Sequence, residues 1–197
     1  MPTYEFEAEA NEKGYKIVCG CDEAGRGPLA GDVYAAAVVL PIGLVIDGLD
    51  DSKKLTEKKR EKLFDIITAE AVSYGIASAT PAEIDEYNIL NAALLAMRRA
   101  IEKLIVKPDF ALIDGNMTRG FTLPCRAIVK GDSRSMSIAA ASILAKVSRD
   151  RSCLELDALY PEYGFAAHKG YPTKAHYEAI QKYGVLPIHR KSFTLFK

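Results

Sequence analysis

Apolar and polar residues alternate over residues 15–21 and crowd into an apolar run over 33–40, ended by Pro41. Both patterns predict strands. Thr56 can cap a helix whose apolar positions Leu63, Ile66, Ile67 and Ala71 recur at helical spacing, and residues 72–79 read as a third strand. Thr80-Pro81-Ala82-Glu83 is a capping box with proline at the first helical position. A second helical stretch over 89–105 keeps Ile89, Ala93, Leu94, Met97, Ile101 and Leu104 on one face until Pro108 stops it. Short strands at 110–113 and 127–129, a long helix over 135–159 and a last helix over 173–183 complete the pattern. Residues 1–15 read as a polar lead-in. Strands and helices alternating in this way predict an α/β fold: one mixed sheet of about five strands flanked by helices. The expected domain is single, over residues 1–197, with a small helical and loop segment from about residue 160 completing it.

Three of these strands run into carboxylates beside glycine: 15–21 into Asp22-Glu23, 110–113 into Asp114-Gly115, and 127–129 into Lys130-Gly131-Asp132. Carboxylates gathered at one end of a sheet repel one another unless a cation neutralises them. A set without cysteine or histidine suits hard, oxygen-seeking ions, Mg²⁺ or Mn²⁺. Two such ions roughly 3.5–4 Å apart are the usual clamp for in-line phosphodiester displacement. Asp22 and Glu23 are neighbours, so in a strand they point to opposite faces. Sharing one site therefore predicts that the strand ends or bulges there, which the following glycines Gly25, Gly27 and Gly31 permit. The spacing Gly25-x-Gly27-x-x-Ala30 also fits a dinucleotide fingerprint, but that motif opens a helix. Here a strand follows, and the dinucleotide reading falls.

Composition adds one point and removes several. Formal net charge is zero, yet residues 1–118 carry 13 Lys/Arg against 20 Asp/Glu and residues 119–197 carry 13 against 6. An acidic, cation-binding part facing a basic part suits an anionic polymer. The four cysteines lack a zinc spacing. With neither a signal peptide nor a membrane-spanning run in the sequence, a reducing, cytoplasmic setting is expected. Arg26, Lys53, Lys54, Lys146 and Arg149 are candidate phosphate grips, and Tyr171, between Gly170 and Pro172, is placed to stack on a sugar or base. The three histidines lack ligand spacing.

The run Asp22-Glu23-Ala24-Gly25-Arg26-Gly27-Pro28-Leu29-Ala30-Gly31 closely resembles the signature of bacterial ribonuclease HII. The likeness continues, in family order, through Asp51-Ser52-Lys53-Lys54-Leu55, Ile113-Asp114-Gly115-Asn116, Lys130-Gly131-Asp132-Ser133, the helix at 137–150 and His168-Lys169-Gly170-Tyr171-Pro172-Thr173. The resemblance implies an RNase H-like sheet and Mn²⁺- or Mg²⁺-dependent hydrolysis of the RNA strand of RNA–DNA hybrids. It also implies incision 5′ of single ribonucleotides in duplex DNA, leaving 3′-hydroxyl and 5′-phosphate ends. By motif position Asp22, Glu23, Asp114 and Asp132 take the catalytic, metal-binding roles. Gly25-Arg26-Gly27 would read the 2′-hydroxyl, Tyr171 would stack on the next deoxyribose, and Lys53, Ser142 and Lys146 would contact phosphates. Asp150 is expected in a structural ion pair, and Asp32 matches no role. A monomer is expected, with recruitment by a replication clamp or polymerase left open. A DNA-directed nuclease with the same acidic site, or a nucleic-acid-binding domain with structural acids, are the alternatives.

Overall fold

The structure is a computed structural model describing residues 1–196; Lys197, the end of the expected domain, lies outside them. Its sheet is organised around β1 (Val18–Ala24), which lies at the centre of the order β3-β2-β1-β4-β5. The flanking strands are β2 (Val33–Val39), β3 (Ser73–Ala79), β4 (Phe110–Asp114) and β5 (Cys125–Ile128). β2 is antiparallel to both β1 and β3, whereas β4 runs parallel to β1 and to β5. The parallel trio β1, β4 and β5 therefore points its C-terminal ends the same way, which is where the sequence puts its carboxylates.

Helices cover both faces. α3 (Pro81–Glu102) packs on Cys19, Cys21, Ala35 and Ile113. α2 (Glu57–Glu70) and α4 (Met136–Leu159) pack on Ala36 and Val38 from the other side. Thr56, Thr80 and Ser135 cap α2, α3 and α4 through side-chain oxygens, and the box of Thr80 with Glu83 is complete. Gly20 lets α4 approach the sheet: a Cβ built there would lie 2.3 Å from the Ile138 backbone N.

Several expectations change. The lead-in contains a helix, α1 (Glu5–Glu12), because Phe6 and Ala10 stand one turn apart and are buried against Val18 and Ile138. Two helical stretches on either side of residue 88 form one run broken at Asn88 (φ 66), whose side chain accepts from the Leu90 and Asn91 N–H groups. β1 continues to Ala24, paired in unbroken register with β2.

The C-terminal segment, with α5 (Phe165–His168) and α6 (Lys174–Tyr183), has a core of its own around Tyr163, Phe165 and Ile180. All three histidines stand in it. The Leu186 N–H donates to His189 Nδ1, so neutral His189 carries its proton on Nε2 and donates to His176 Nε2 at 3.2 Å. His176 Nδ1 is then the donor to the Tyr171 carbonyl at 3.0 Å. The chain of bonds holds only while the rings are neutral. Burial, with the neighbouring rings, pushes His176 down to about 4, and burial lowers His189 as well.

Two measurements follow from this packing. Gly20→Ala must push α4 off β1 and is expected to cost about 3 kcal/mol or more in urea unfolding; a near-neutral result would refute the close approach. For the histidines, the unfolded chain takes up protons near pH 6.5 whereas His176 resists until about pH 4. At these rings the unfolded state thus binds more protons in that window, so their contribution to stability must fall as pH falls. Roughly 2 kcal/mol of that contribution is expected to be lost between pH 7 and 5, read as the difference between wild type and His176→Gln in urea unfolding at the two pH values.

Candidate active site

β1 delivers Asp22 and Glu23 without ending or bulging. Its last pair with β4 is Cys21 with Ile113, so beyond Cys21 its β4-facing edge is open. At that open edge the Glu23 N–H donates to Asp22 Oδ1 at 2.7 Å. Side chains leaving opposite faces can curl around the edge, and Asp114, the last residue of β4, joins them there. One ligand oxygen from each of Asp22, Glu23 and Asp114 lies within 4.8 Å of the others. Asp114 is fixed by the Gly131 N–H, which donates to its Oδ1 at 2.7 Å. Asp132 sits one residue further, in the 3₁₀ turn Gly131–Ser133. It stands outside the closest trio, yet close enough that its charge raises both Asp114 and Asp22.

The electrostatics fit a cation. Burial first, then Glu23 and Asp114, push Asp22 well above the usual carboxylate value. Burial raises Glu23 against the opposing pull of Arg26, and burial with Asp132 raises Asp114. A set of carboxylate oxygens, each penalised for being charged, is what a hard divalent ion relieves. Asp22, Glu23 and Asp114 fit such an ion, with Asp132 beside them.

A cleft of ≈ 360 Å³ lined by Asp22 and Glu23 is also lined by Gly25, Arg26, Gly27, Lys53, Lys146, Arg149 and Tyr171. Lys53 Nζ stands 3.6 Å from Asp132 Oδ2. Burial works against its charge, but Asp22, Asp132 and other acids outweigh this and raise its pKa. Lys146 is paired with Asp150 at 2.7 Å, and Asp150 also meets Arg60 at 3.5 Å, so Asp150 is the structural partner the sequence suggests. Ser142 is a correction: it is buried, its hydroxyl donates to the Ala139 carbonyl of its own helix, and it does not line the cleft. Asp32 accepts from the Ser78 hydroxyl at 2.7 Å, tying β2 to β3.

Sequence reasoning missed Arg190. It is fully buried, and its guanidinium donates to the carbonyls of Gly25, Arg26, Pro28 and Gly31 at 2.7 to 3.0 Å. Its own N–H donates to the Leu29 carbonyl. Arg149 supports the loop from beneath: it donates to the Lys169 carbonyl, faces the Tyr171 ring at 5.7 Å and fills the space where a Gly25 side chain would stand. Gly25 also needs its glycine for the backbone, at φ 99. Among the described residues, no hydrogen bond within the chain uses the Gly27 carbonyl or the Arg26 and Gly27 N–H groups. Tyr171 is 42% exposed and flanks Gly27, held there because the Leu29 N–H donates to the Gly170 carbonyl. In the sequence Arg190 stands beside Lys191 near the chain's end, and nothing local marks it as buried.

Comparison with known proteins agrees with this arrangement. The Ribonuclease HII family matches over residues 19–196. A Ribonuclease HII of Clostridioides difficile is 56% identical over 188 residues, 95% of this chain and 74% of that protein. The crystal structure of ribonuclease H2 from Pyrococcus horikoshii superposes with a TM-score of 0.75 at 30% identity, covering 91% of this chain and 95% of that one. That of a Bst-RNase HIII in complex with Mn²⁺ shares the fold, with a TM-score of 0.71 at 17% identity over 94% of this chain and 70% of that one. An acidic trio at the open edge of β1, a glycine loop pinned by a buried arginine and near-complete coverage by one family point the same way: the chain belongs to the ribonuclease HII family and is a ribonuclease H.

Proposed function

We propose that this ribonuclease H cuts the RNA strand of RNA–DNA hybrids and incises duplex DNA on the 5′ side of a single embedded ribonucleotide. The observation that carries the reading is the placement of free backbone groups of Arg26 and Gly27 next to the acidic trio. A 2′-hydroxyl both donates and accepts, and it alone tells a ribonucleotide from its DNA neighbours. Arg190 occupies the carbonyls on either side of Gly27, leaving one acceptor and two donors in a fixed place for that hydroxyl. Glycine at 27 keeps a side chain out of the space beside Tyr171, and glycine at 25 leaves room for Arg149 beneath the loop.

Asp22, Glu23, Asp114 and Asp132 are the residues to hold two divalent ions, Mg²⁺ or Mn²⁺. When bound, such ions supply an activated water and charge stabilisation at the leaving oxygen, which gives 3′-hydroxyl and 5′-phosphate ends. Lys53 and Lys146 offer positive charge to the phosphates lying in the cleft, and Tyr171 offers a ring face to the adjacent sugar. The Mn²⁺ complex of the ribonuclease HIII with the same fold supports the choice of ion. Among the described residues no helix is long and apolar enough to cross a membrane, and we place the work on cytoplasmic DNA.

The reading is tested with a DNA duplex carrying one ribonucleotide, incubated with protein and Mg²⁺ or Mn²⁺. Incision 5′ of the ribonucleotide is expected. Equal cutting of an all-DNA duplex would make the protein a DNA-directed nuclease, and binding without cutting a nucleic-acid-binding domain. Asp22→Asn and Asp114→Asn are each expected to lower turnover by at least about 10³-fold, roughly 4 kcal/mol of barrier, and to weaken Mn²⁺ binding in calorimetry. Because both carboxylates are penalised for charge in the fold, neither variant should lose stability in EDTA.

Arg190→Lys keeps the charge but replaces a planar fork with a point donor. It should fold with a loss of about 2–4 kcal/mol, bind Mn²⁺ within two-fold of wild type, and cut the single-ribonucleotide duplex at least ten-fold more slowly. Unchanged cutting would show that the loop does not depend on Arg190.

A further inference from the structure

One charged groove lies outside the cleft and is unused by the chemistry above. After Asp114 the chain runs along α3, where Asn116 and Met117 face Leu94 and Met97 in a narrow gap that also touches Glu23 and Arg26. The same loop continues to Arg119 and Gly120, which with Asn91, Arg98 and Arg99 of α3 line a groove of ≈ 490 Å³. Arg99 is neutralised by Glu83 at 2.5 Å. Arg98 and Arg119 have no ion-pair partner among the described residues. Gly120 turns through the left-handed region (φ 84) and brings the loop against Arg98, where a Cβ would lie 2.8 Å from Nη1. The two guanidinium groups are thus held in one groove, with the Asn91 amide and the exposed Tyr87 ring beside them.

We propose that Arg98 and Arg119 are a second anchor for the phosphate backbone of the duplex held at the acidic site. The proposal rests on the nuclease reading and extends it to the flank of the substrate. Arg119 lies five positions beyond Asp114, so their Cα atoms are at most about 18 Å apart. That span is about five base-pair steps of ~3.4 Å. Glu23 and Arg26 border both the cleft and the gap beside Met117, and Arg119 follows Met117 by two residues, so the loop that leaves the acids on that side carries one of the two arginines. Two guanidinium groups without an ion-pair partner match phosphate oxygens, which arginine binds bidentately. They fix position and carry no base sequence, as an enzyme that reads only a sugar hydroxyl requires.

The test compares wild type with the Arg98→Ala/Arg119→Ala double variant in equilibrium binding, measured by fluorescence anisotropy in EDTA. Three duplexes carry one ribonucleotide: a 30-base-pair duplex with long flanks on both sides, and two cut to three base pairs on the 5′ or the 3′ side. On the long duplex the variant should bind about ten-fold more weakly. Its slope of log affinity against log salt should flatten by about 2, since each lost phosphate contact removes roughly 0.9. On one of the two shortened duplexes this difference should vanish, because the arm that reaches the arginines is missing. Equal losses on all three duplexes, or an unchanged salt slope, would overturn the anchor. A parallel Mn²⁺ cleavage assay of wild type keeps the two readings apart. Length-dependent loss of binding with no wild-type cleavage would support the surface and refute the nuclease reading.

Discussion

The site depends on one buried cation whose partners are all backbone. Removing a guanidinium from water is costly, and only a full set of acceptors offsets it. Arg190 finds that set in a loop some 160 residues earlier in the chain, so the C-terminal segment and the glycine loop are fixed by the same event. Burial first, and then the neighbouring Arg149, lower the Arg190 pKa to about 9. The loop carbonyls of Gly25, Arg26, Pro28 and Gly31 turn toward Arg190, while Arg149 is held by the Lys169 carbonyl. The loop's rigidity is therefore imposed from behind, and its cleft-facing groups remain unspent.

The sheet supplies the other half. Because β4 and β5 are parallel to β1, their carboxylates emerge at one end, and because β1 outruns its pairing with β4, two adjacent residues of one strand reach a shared point. The antiparallel neighbour β2 keeps β1 straight through Ala24 while the opposite edge is open. An edge of this kind would ordinarily invite pairing with another chain. Here the acids and the turn around Asp114 and Gly131 occupy it. The electrostatic penalty recorded in the raised carboxylates is the counterpart of cation affinity: a site relaxed without an ion would have less to gain from one.

A third tie reaches the site from the far end of β1. Glu7 of α1 is buried and accepts from the Ser135 hydroxyl and from both the N–H and hydroxyl of Ser137. Those serines begin α4 directly after the turn that carries Asp132, and α4 is pressed on Gly20. A helix that the polar composition of residues 1–15 conceals thus holds the start of α4 and, through it, the turn bearing the outlying carboxylate.

What the sequence showed and what it hid divide along physical lines. Strands 33–39 and 73–79, the caps at Thr56 and Thr80, and the acids at strand ends are written in spacing that a window of a dozen residues contains. The convergence of Asp22, Glu23 and Asp114 was legible too, but its cause was misread: alternation within β1 argued for a strand end or a bulge, whereas the cause is an edge left open by the register with another strand. Ser142 failed for a related reason, since a role carried over by motif position cannot tell a hydroxyl facing a cleft from one satisfied by the carbonyl three residues back. Asn88 breaks α3 through a positive-φ, extended backbone (φ 66, ψ 163) that residues other than glycine rarely adopt and that no sequence pattern announces. Arg190 was the least visible, because its burial is decided by carbonyls, which every residue has and no side-chain pattern reports. A motif can display the groups that touch substrate. The groups that hold the motif in shape are found only when distant parts of the chain are seen together.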